Sequence, residues 1–327
     1  MPAQRSRETA TPAALWRFWP LPLLVLIAGL TAAPFLGPYS AKMDFLGQFL
    51  LQVAAGTTAT LVLFAVVGRW FAAGAAVLAL LLQLVVLQPS FFPARAGSEA
   101  PATVNILFAN VFWGNQRIAA MAEAIIALDP DIVVLVELDK RNRALPAALA
   151  PAYPHRVDCL AHWTCDGALL SRLPIVEDLS AWRADRRIAM SAARIETAFG
   201  PIAVAGVHLD QPLPPGRLRR QERQTEGLTE MLASIDVPLL LVGDFNASPW
   251  GRLLKGLAAD TGLDIAWGLE GTWPAFLPWP MRIAIDHALT GRGLELVDRQ
   301  VIRLPGSDHR ALKLRVGPSR PFEPLSS

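Results

Sequence analysis

Three apolar stretches, Leu21 to Leu36, Phe45 to Val67 and Phe71 to Leu87, dominate the chain before residue 90, and a segment so rich in hydrocarbon is hard to bury in a water-soluble fold. A membrane-spanning helix needs about 20 largely apolar residues, each rising about 1.5 Å. The second stretch meets that length. The first and third lie near the lower limit, and Pro22 and Pro34 sit near the ends of the first. Arg5, Arg7 and Arg17 ahead of the first stretch also fit a cleaved signal sequence. The two stretches that follow would nevertheless remain in the mature chain, and neither carries the polar stripe of a soluble amphipathic helix. The expectation is an N-terminal membrane region, residues 1–88, with about three transmembrane helices at 21–37, 45–67 and 70–87.

Positive charge sets the expected orientation. The Arg5, Arg7 and Arg17 cluster favours a cytoplasmic start, and the turn at Gly68, Arg69 and Trp70 would be cytoplasmic again after two crossings. A third crossing delivers residue 88 onward to the outer face. The chain is thus expected to be a multi-pass protein of a bacterial inner (plasma) membrane, with its soluble domain periplasmic or otherwise extracytoplasmic. Lys42 and Arg95 run against this arrangement. The two cysteines, Cys159 and Cys165, are six positions apart with no other thiol to compete. A disulfide between them requires an oxidising compartment. A metal site is the rival reading, with His155 and His162 as further ligands.

Residues 1–98 hold six Lys/Arg and two acids, which leaves 24 basic and 26 acidic side chains for the rest. A soluble part so close to neutral lacks the basic excess of a protein that grips long nucleic acid by its phosphates. It begins after a Pro-, Ala-, Gly- and Ser-rich linker, 89–101. Strands are expected at Thr103 to Ala109, Ile132 to Val136, Gly167 to Leu170, Ala189 to Ile195, Ile202 to His208, Pro238 to Val242, Ala284 to Leu289 and Ala311 to Val316. Ile132 to Val136 is five aliphatic residues in a row, the pattern of a strand buried on both faces. Helices are expected at Gln116 to Leu128 and, polar and charged, over 216–234. Many strands with few helices suggest one α/β domain of stacked sheets flanked by helices, followed by a short tail, 318–327.

Polar residues end or interrupt several of these strands. Asn110 follows Ile106 to Ala109, Glu137 follows Ile132 to Val136, and His208 closes Val204 to Val207. Asp244 and Asn246 follow Leu239 to Gly243, Asp286 interrupts Ile283 to Leu289, and Asp308 and His309 precede the last strand. Strand ends project side chains into a common crevice. Carboxylates and an amide there are hard oxygen ligands suited to Mg²⁺ or Mn²⁺, and histidines exchange protons near neutral pH. Singly, each residue has an ordinary explanation: Glu137 as a surface residue at a strand exit, the Asp244-Phe245-Asn246 run as a turn, His208 as a half-buried histidine, Asp286 and His287 as a local pair. His287 is taken as structural.

At these positions the chain resembles the endonuclease/exonuclease/phosphatase superfamily, which includes pancreatic-type deoxyribonucleases, abasic-site endonucleases, bacterial sphingomyelinases and inositol polyphosphate 5-phosphatases. The matching segments run in the family's order: Asn110-Val111, Val136-Glu137, Gly167 to Arg172, Gly206-Val-His208, Val242 to Asn246, Thr272-Trp273, Ile285-Asp-His287 and Ser307-Asp-His309. They span nearly all of residues 102–317. The resemblance implies a four-layered α/β sandwich and metal-assisted hydrolysis of a phosphate ester. It implies that Glu137 is the principal ligand of Mg²⁺ (or Mn²⁺), with Asn110 beside it and Asp308 completing the metal's surroundings. His309 is then the acid/base imidazole, oriented by Asp286. Asp244 and Asn246 position the attacking water and a phosphate oxygen, and His208 donates to the phosphoryl group. Either the His309–Asp286 pair or Asp244 could serve as base.

Arg172, Trp250 and the run Trp273 to Trp279 are candidates for lining the substrate crevice, or for packing. The expected activity is therefore that of a membrane-anchored, divalent-metal-dependent phosphoesterase acting on nucleic acid, a phospholipid head group or a small phosphoester. The alternative is a non-catalytic, membrane-tethered binding module that has kept the fold.

Overall fold

The computed structural model describes residues 18–91, 102–162 and 165–319, and the chain divides into two compact units at Leu87/Gln88. The Arg5, Arg7 and Arg17 cluster and most of the expected linker and tail lie outside the described residues. In the first unit, α1 (Pro20–Leu36) leads through a single 3₁₀ turn, Gly37–Tyr39, into α2 (Ala41–Gly47), α3 (Leu50–Val66) and α4 (Trp70–Phe91). The span Pro20–Tyr39 and the helix α4 are each long and apolar enough to cross a membrane, with mean hydropathies of 1.9 and 2.4. The middle stretch, expected as one helix over 45–67, is instead two helices bent by 65°. The break follows Gly47, which packs beside Pro34 of α1, and glycine is a recurrent site of helix kinks. In α4, Trp70 to Phe91 runs four residues past the expected end.

An apolar helix has no hydrophobic reason to pair with another in lipid, so polar contacts and small residues hold such bundles together. Here the buried Gln83 amide donates to the Thr31 and Thr57 hydroxyls at 2.7 and 3.0 Å, tying α4 to α1 and α3. Ala33, Ala76 and Phe64 fill the bundle interior, while Val25, Val66, Phe71 and Val85 face outward.

The second unit runs β1 (Val104–Asn110), α5 (Ile118–Ala127), β2 (Ile132–Val136), α6 (Leu145–Leu149), β3 (His155–Asp158), β4 (Ala168–Ser171), β5 (Ile175–Asp178), β6 (Ala181–Arg183), β7 (Ile188–Ile195) and β8 (Ile202–His208). It continues through α7 (Pro215–Leu232), β9 (Leu239–Asp244), α8 (Arg252–Thr261), β10 (Asp264–Ile265), β11 (Asp286–Gly291), β12 (Leu294–Arg303) and β13 (Arg310–Pro318). Among the described residues these strands form two sheets, one ordered β12-β13-β1-β2-β4-β3 and the other β10-β11-β9-β8-β7-β5, with β6 on β7.

Side-chain alternation along each strand makes four layers from two sheets. Ile106, Phe108, Val134, Val204, Val242 and Leu312 point inward and form the core between the sheets. Their neighbours point the other way. Leu107, Val133 and Leu135 pack under α5 and α6, and Ala203, Ala205, Leu239 and Leu241 pack under α7 and α8. Both faces of β2 are therefore buried, which is why the sequence reads as an uninterrupted aliphatic run.

Gly206 lies on the inward face of β8, where an added Cβ would come within 2.3 Å of Val134 Cγ1 in the opposite sheet. Gly206→Ala should force the sheets apart and lower unfolding free energy by about 1–3 kcal/mol, the usual cost of overpacking. Denaturant midpoints at constant m-value would measure it. An unchanged midpoint would mean the layers separate there without strain.

Candidate active site

The alternation that packs the core also aims the polar residues. On β8 the inward positions are 202, 204, 206 and 208, on β9 they are 240, 242 and 244, and on β11 they include 286 and 288. The register sets His208 beside Asp244 and Asp244 beside Asp286. Three strands of one sheet thus present His208, Asp244 and Asp286 in a row at one edge of the inter-sheet space. In the facing sheet, β1 and β2 are parallel with Asn110 beside Val136, so Asn110 and Glu137 leave at the same end. β13 runs antiparallel to β1, which brings its preceding residue, His309, there as well.

The amide nitrogen of Asn110 is the point of convergence. It donates to Glu137 Oε1 at 2.9 Å and to Asp244 Oδ2 at 3.0 Å, and lies 3.4 Å from His309 Nε2. The second Glu137 oxygen accepts from the Trp113 backbone N–H at 3.0 Å. Glu137 adopts a left-handed backbone with φ +61°, a conformation that costs a non-glycine residue of order 1–3 kcal/mol. A fully buried amide holds it there, because Asn142 Nδ2 donates to the Glu137 and Phe112 carbonyls at 2.8 and 2.9 Å. Phe112 and Asn246 are left-handed too, with φ +63° and +48°. The site loops after β1, β2 and β9 therefore all bend sharply at this edge.

Two histidine–aspartate pairs flank the centre. His309 Nδ1 meets Asp286 Oδ2 at 2.9 Å, and His208 Nδ1 meets Asp166 Oδ2 at 2.6 Å. Their Nε2 atoms lie 3.8 and 3.9 Å from the same Asp244 oxygen. Burial works against charge on either ring. For His309 the charges of Asp286 and Asp244 outweigh it and raise the imidazole to about 10. For His208 the charge and hydrogen bond of Asp166 do the same, again to about 10. Burial, and then repulsion from Asp286, pushes the Asp244 carboxyl up to about 7 even though both histidines pull it down.

The remaining motif residues are supports or neighbours. Thr272 Oγ1 accepts from the Asp286 backbone N–H at 3.3 Å. Ser307 Oγ donates to the Asn110 carbonyl at 2.7 Å and accepts from His309 N–H at 3.0 Å. Asn246 donates from Nδ2 to the Leu209 carbonyl at 2.9 Å, and its own N–H goes to Asp244 Oδ1 at 3.0 Å. Asp308 stands at the rim, with one oxygen 3.3 Å from Trp273 Nε1 and the other buried without a hydrogen-bond donor. It is not among the side chains that close most tightly around the centre. His287 alternates to the opposite face of β11 from Asp286, close to the Ala247 carbonyl at 2.8 Å, and burial lowers it to about 4.

The sequence reading missed Asp166. β4 runs antiparallel to β2, so the site end of the Gly167 to Arg172 motif is Gly167 and the residue before it. Arg172 is carried to the far end, where it pairs with Asp129 and lies over the Tyr153 ring at 5.0 Å. It does not line the crevice. Trp250 is buried packing, whereas Trp273, Phe276 and Trp279 are exposed. The two cysteines form a disulfide that closes the loop immediately before Asp166.

These residues fit a hard divalent cation. One ligand atom each from Glu137, Asp244 and His309 lies within 4.8 Å of the others. Among the described residues no Lys or Arg is ion-paired to Glu137, Asp244, Asp286 or Asp308, and the unpartnered oxygens of Asp286 and Asp308 are buried. The sign of the proton linkage gives a test. Asp244 and both histidines have folded values above their unfolded ones, so all three contribute stability at low pH that is lost as pH rises. Buried His287, lowered to about 4, offsets Asp244 below about pH 6.5, so in EDTA the melting temperature should fall chiefly from pH 7 to pH 9. Mg²⁺ should bind more tightly as pH rises, first through Asp244, which gives up its proton near pH 7, and above that through His309. A metal-free protein whose stability climbs over that range would contradict this electrostatic balance.

A model of the Endonuclease/Exonuclease/phosphatase family matches residues 102–309. Solved structures share the architecture. The endonuclease/exonuclease/phosphatase from Beutenbergia cavernae is 19% identical with a TM-score of 0.53, over 68% of this chain and 73% of that one. The human Nocturnin catalytic domain with bound sulfate is 19% identical at 0.51, over 66% and 94%. A mutant beta toxin of Staphylococcus aureus with bound magnesium ions is 14% identical at 0.50, over 65% and 99%. At such identities the likeness is one of fold. No curated protein matches the chain in sequence.

Proposed function

Because the chain belongs to the endonuclease/exonuclease/phosphatase family and is a hydrolase of phosphate ester bonds, we propose that it is a membrane-anchored, Mg²⁺- or Mn²⁺-dependent phosphodiesterase with Glu137 at the centre of its metal site. The observation that carries this reading is the meeting of Glu137, Asp244 and His309 from three distant parts of the chain. A cation bound there supplies charge stabilisation to the phosphoryl oxygens and the leaving oxygen. Asn110 fixes the Glu137 carboxylate, and Asp308 completes the acidic surroundings.

The protein's own groups handle the protons. His309 is oriented through Nδ1 by Asp286 and exchanges a proton at Nε2. His208, charged and anchored by Asp166, donates from Nε2 to a phosphoryl oxygen. Asp244 and Asn246 orient the attacking water. Metal-bound relatives of this fold, such as the beta toxin with magnesium, support the choice of cation.

The N-terminal helices support integral membrane anchoring. The Arg5, Arg7 and Arg17 cluster and the Cys159–Cys165 disulfide support an extracytoplasmic catalytic unit. A non-hydrolytic binding module finds no specific support, because every motif residue is in place.

The test is a panel of plasmid, sphingomyelin, inositol phosphates and bis(p-nitrophenyl) phosphate, offered to the detergent-solubilised full chain with Mg²⁺, Mn²⁺ and EDTA. Turnover of at least one ester that EDTA abolishes is expected. Failure on all of them, together with no metal-induced rise in melting temperature, would leave only a binding role. Thiol labelling of intact cells, with and without reductant, tests the orientation: labelling only after an impermeant reductant is expected, and ready labelling without it would place the loop in the cytoplasm.

A further inference from the structure

Helix α7 carries a buried stripe that includes Gln221, Gln224, Leu228, Met231 and Leu232, at the spacing of a helix face turned to the core. The last three are apolar, as such a face requires. The first two are glutamines, 2% and 6% exposed, and neither lies in any of the segments that resemble the family. A buried amide is destabilising unless its donors and acceptor are matched, so the partners of these two show what they hold.

Gln221 Nε2 donates to the Phe245 carbonyl at 2.9 Å and to the Asn246 carbonyl at 3.3 Å. Those are the two residues that follow Asp244 at the end of β9, where the chain turns through the left-handed Asn246. Gln224 is directed at other loops: its oxygen accepts from the Asp210 N–H and its nitrogen donates to the Arg187 carbonyl, both at 2.9 Å. One amide therefore serves the exit of β9 and the other the exit of β8.

We propose that Gln221 is a positioning residue for the reaction, acting through the turn at Phe245 and Asn246 to set the side chains of Asp244 and Asn246. The proposal rests on the phosphodiesterase reading above, in which those two side chains orient the attacking water. From the sheet side the turn is fastened by its nitrogens. Phe245 N–H donates to the Ile285 carbonyl at 2.9 Å, Asn246 N–H to Asp244 Oδ1 at 3.0 Å and Asn246 Nδ2 to the Leu209 carbonyl at 2.9 Å. Gln221 takes hold of the two carbonyls from the helix layer.

Phe245 is fully buried and Asn246 nearly so. Without the amide, two carbonyls lose a donor in a place with little access to water, and the turn moves to recover one. Asp244 moves with it, because its Oδ1 is bonded to the Asn246 N–H. Leu228 and Leu232 belong to the same apolar cluster as Leu239 and Leu241 of β9, so the helix that carries Gln221 is seated on the strand whose end it steers.

Gln221→Met keeps the length of the side chain and removes both donated bonds. In the detergent-solubilised full chain, acting on whichever ester of the panel above wild type hydrolyses, kcat should fall by about 10- to 100-fold, the range for a misplacement near 1 Å. KM should be nearly unchanged. Leu232→Ala, on the same stripe and without a hydrogen bond to the turn, is the stability control: it should lower the melting temperature at least as much and leave kcat near wild type. The deciding arm is a double-mutant cycle with Asn246→Ala. Once that side chain is gone, Gln221→Met should cost much less than it does in wild type, because residues that act through one another are not additive. If Gln221→Met does not fold, Gln221→Glu enters the same cycle, since it keeps the shape and puts an oxygen where the donor was. A wild-type kcat in either folded variant, or full additivity with Asn246→Ala, overturns the proposal. A wild type that hydrolyses no ester removes the phosphodiesterase reading instead. The hold on the turn is then read from amide exchange at residues 244–247 in EDTA, which should be faster in the Gln221 variant, and unchanged exchange would overturn that as well.

Discussion

Glu137→Gln is expected to lower kcat/KM by about 10³-fold, the scale associated with losing several kcal/mol of charge stabilisation at a reacting centre. The exchange keeps the shape of the side chain and removes its charge. Both Glu137 oxygens accept from donors, Asn110 Nδ2 and Trp113 N–H, so the glutamine amide must turn a donor towards one of them. It must also compete for a cation with a neutral oxygen. The rise in melting temperature produced by Mg²⁺ in wild type should vanish in the variant, since stabilisation by a ligand follows its affinity for the folded state. In EDTA the two proteins should melt within a few degrees of each other, because relief of repulsion from Asp244 offsets the lost hydrogen bond. A variant that keeps both turnover and the Mg²⁺ response would remove Glu137 from the metal site.

Loss of the imidazole at 309 should cost about 10² to 10⁴ in rate, the usual contribution of a positioned acid or base. His309→Ala tests it directly. Asp286→Asn is the more informative companion, because it leaves the ring in place and removes the charge that raises its proton affinity. That variant should show a fall in kcat with KM nearly unchanged. The pH at which His309 loses its proton should move from about 10 down towards the ordinary histidine value near 6.5, visible by NMR of the ring. Unaltered titration in Asp286→Asn would mean that the pair is held by packing alone.

The sequence exposed what depends on strand alternation and on strand ends. β2 was legible because an aliphatic run without polar breaks has few other uses, and Asn110, Glu137, His208 and Asp244 were legible because a polar side chain directly after such a run is conspicuous. β12 was not. Its residues Leu294 to Arg303 mix charged and apolar side chains, and a bulge between Leu296 and Asp298 shifts the alternation halfway along. Neither half then shows a period long enough to recognise. α8, Arg252–Thr261, was missed for a different reason: its apolar residues, Leu253, Leu254 and Leu257, are few and its remaining face is polar.

Asp166 shows the limit of motif reading. It lies outside the apolar core of its motif, and only the antiparallel pairing of β4 with β2 reveals which end of the segment reaches the site. The break at Gly47 was hidden for the converse reason, because hydrophobicity alone does not record where a helix bends.

Asn110 and Glu137 come from one sheet, while Asp244 and His208 come from the other. A cation held among them therefore works as a clasp across the seam of the sandwich, in addition to any chemistry it performs. Loading it should slow amide exchange at the tips of β1 and β9 together, although those strands share no backbone ladder, and the edge strands β10 and β12 should hardly respond. The apolar core already closes the two layers, and an ion bound at their rim would add a polar fastening at the end where the loops diverge.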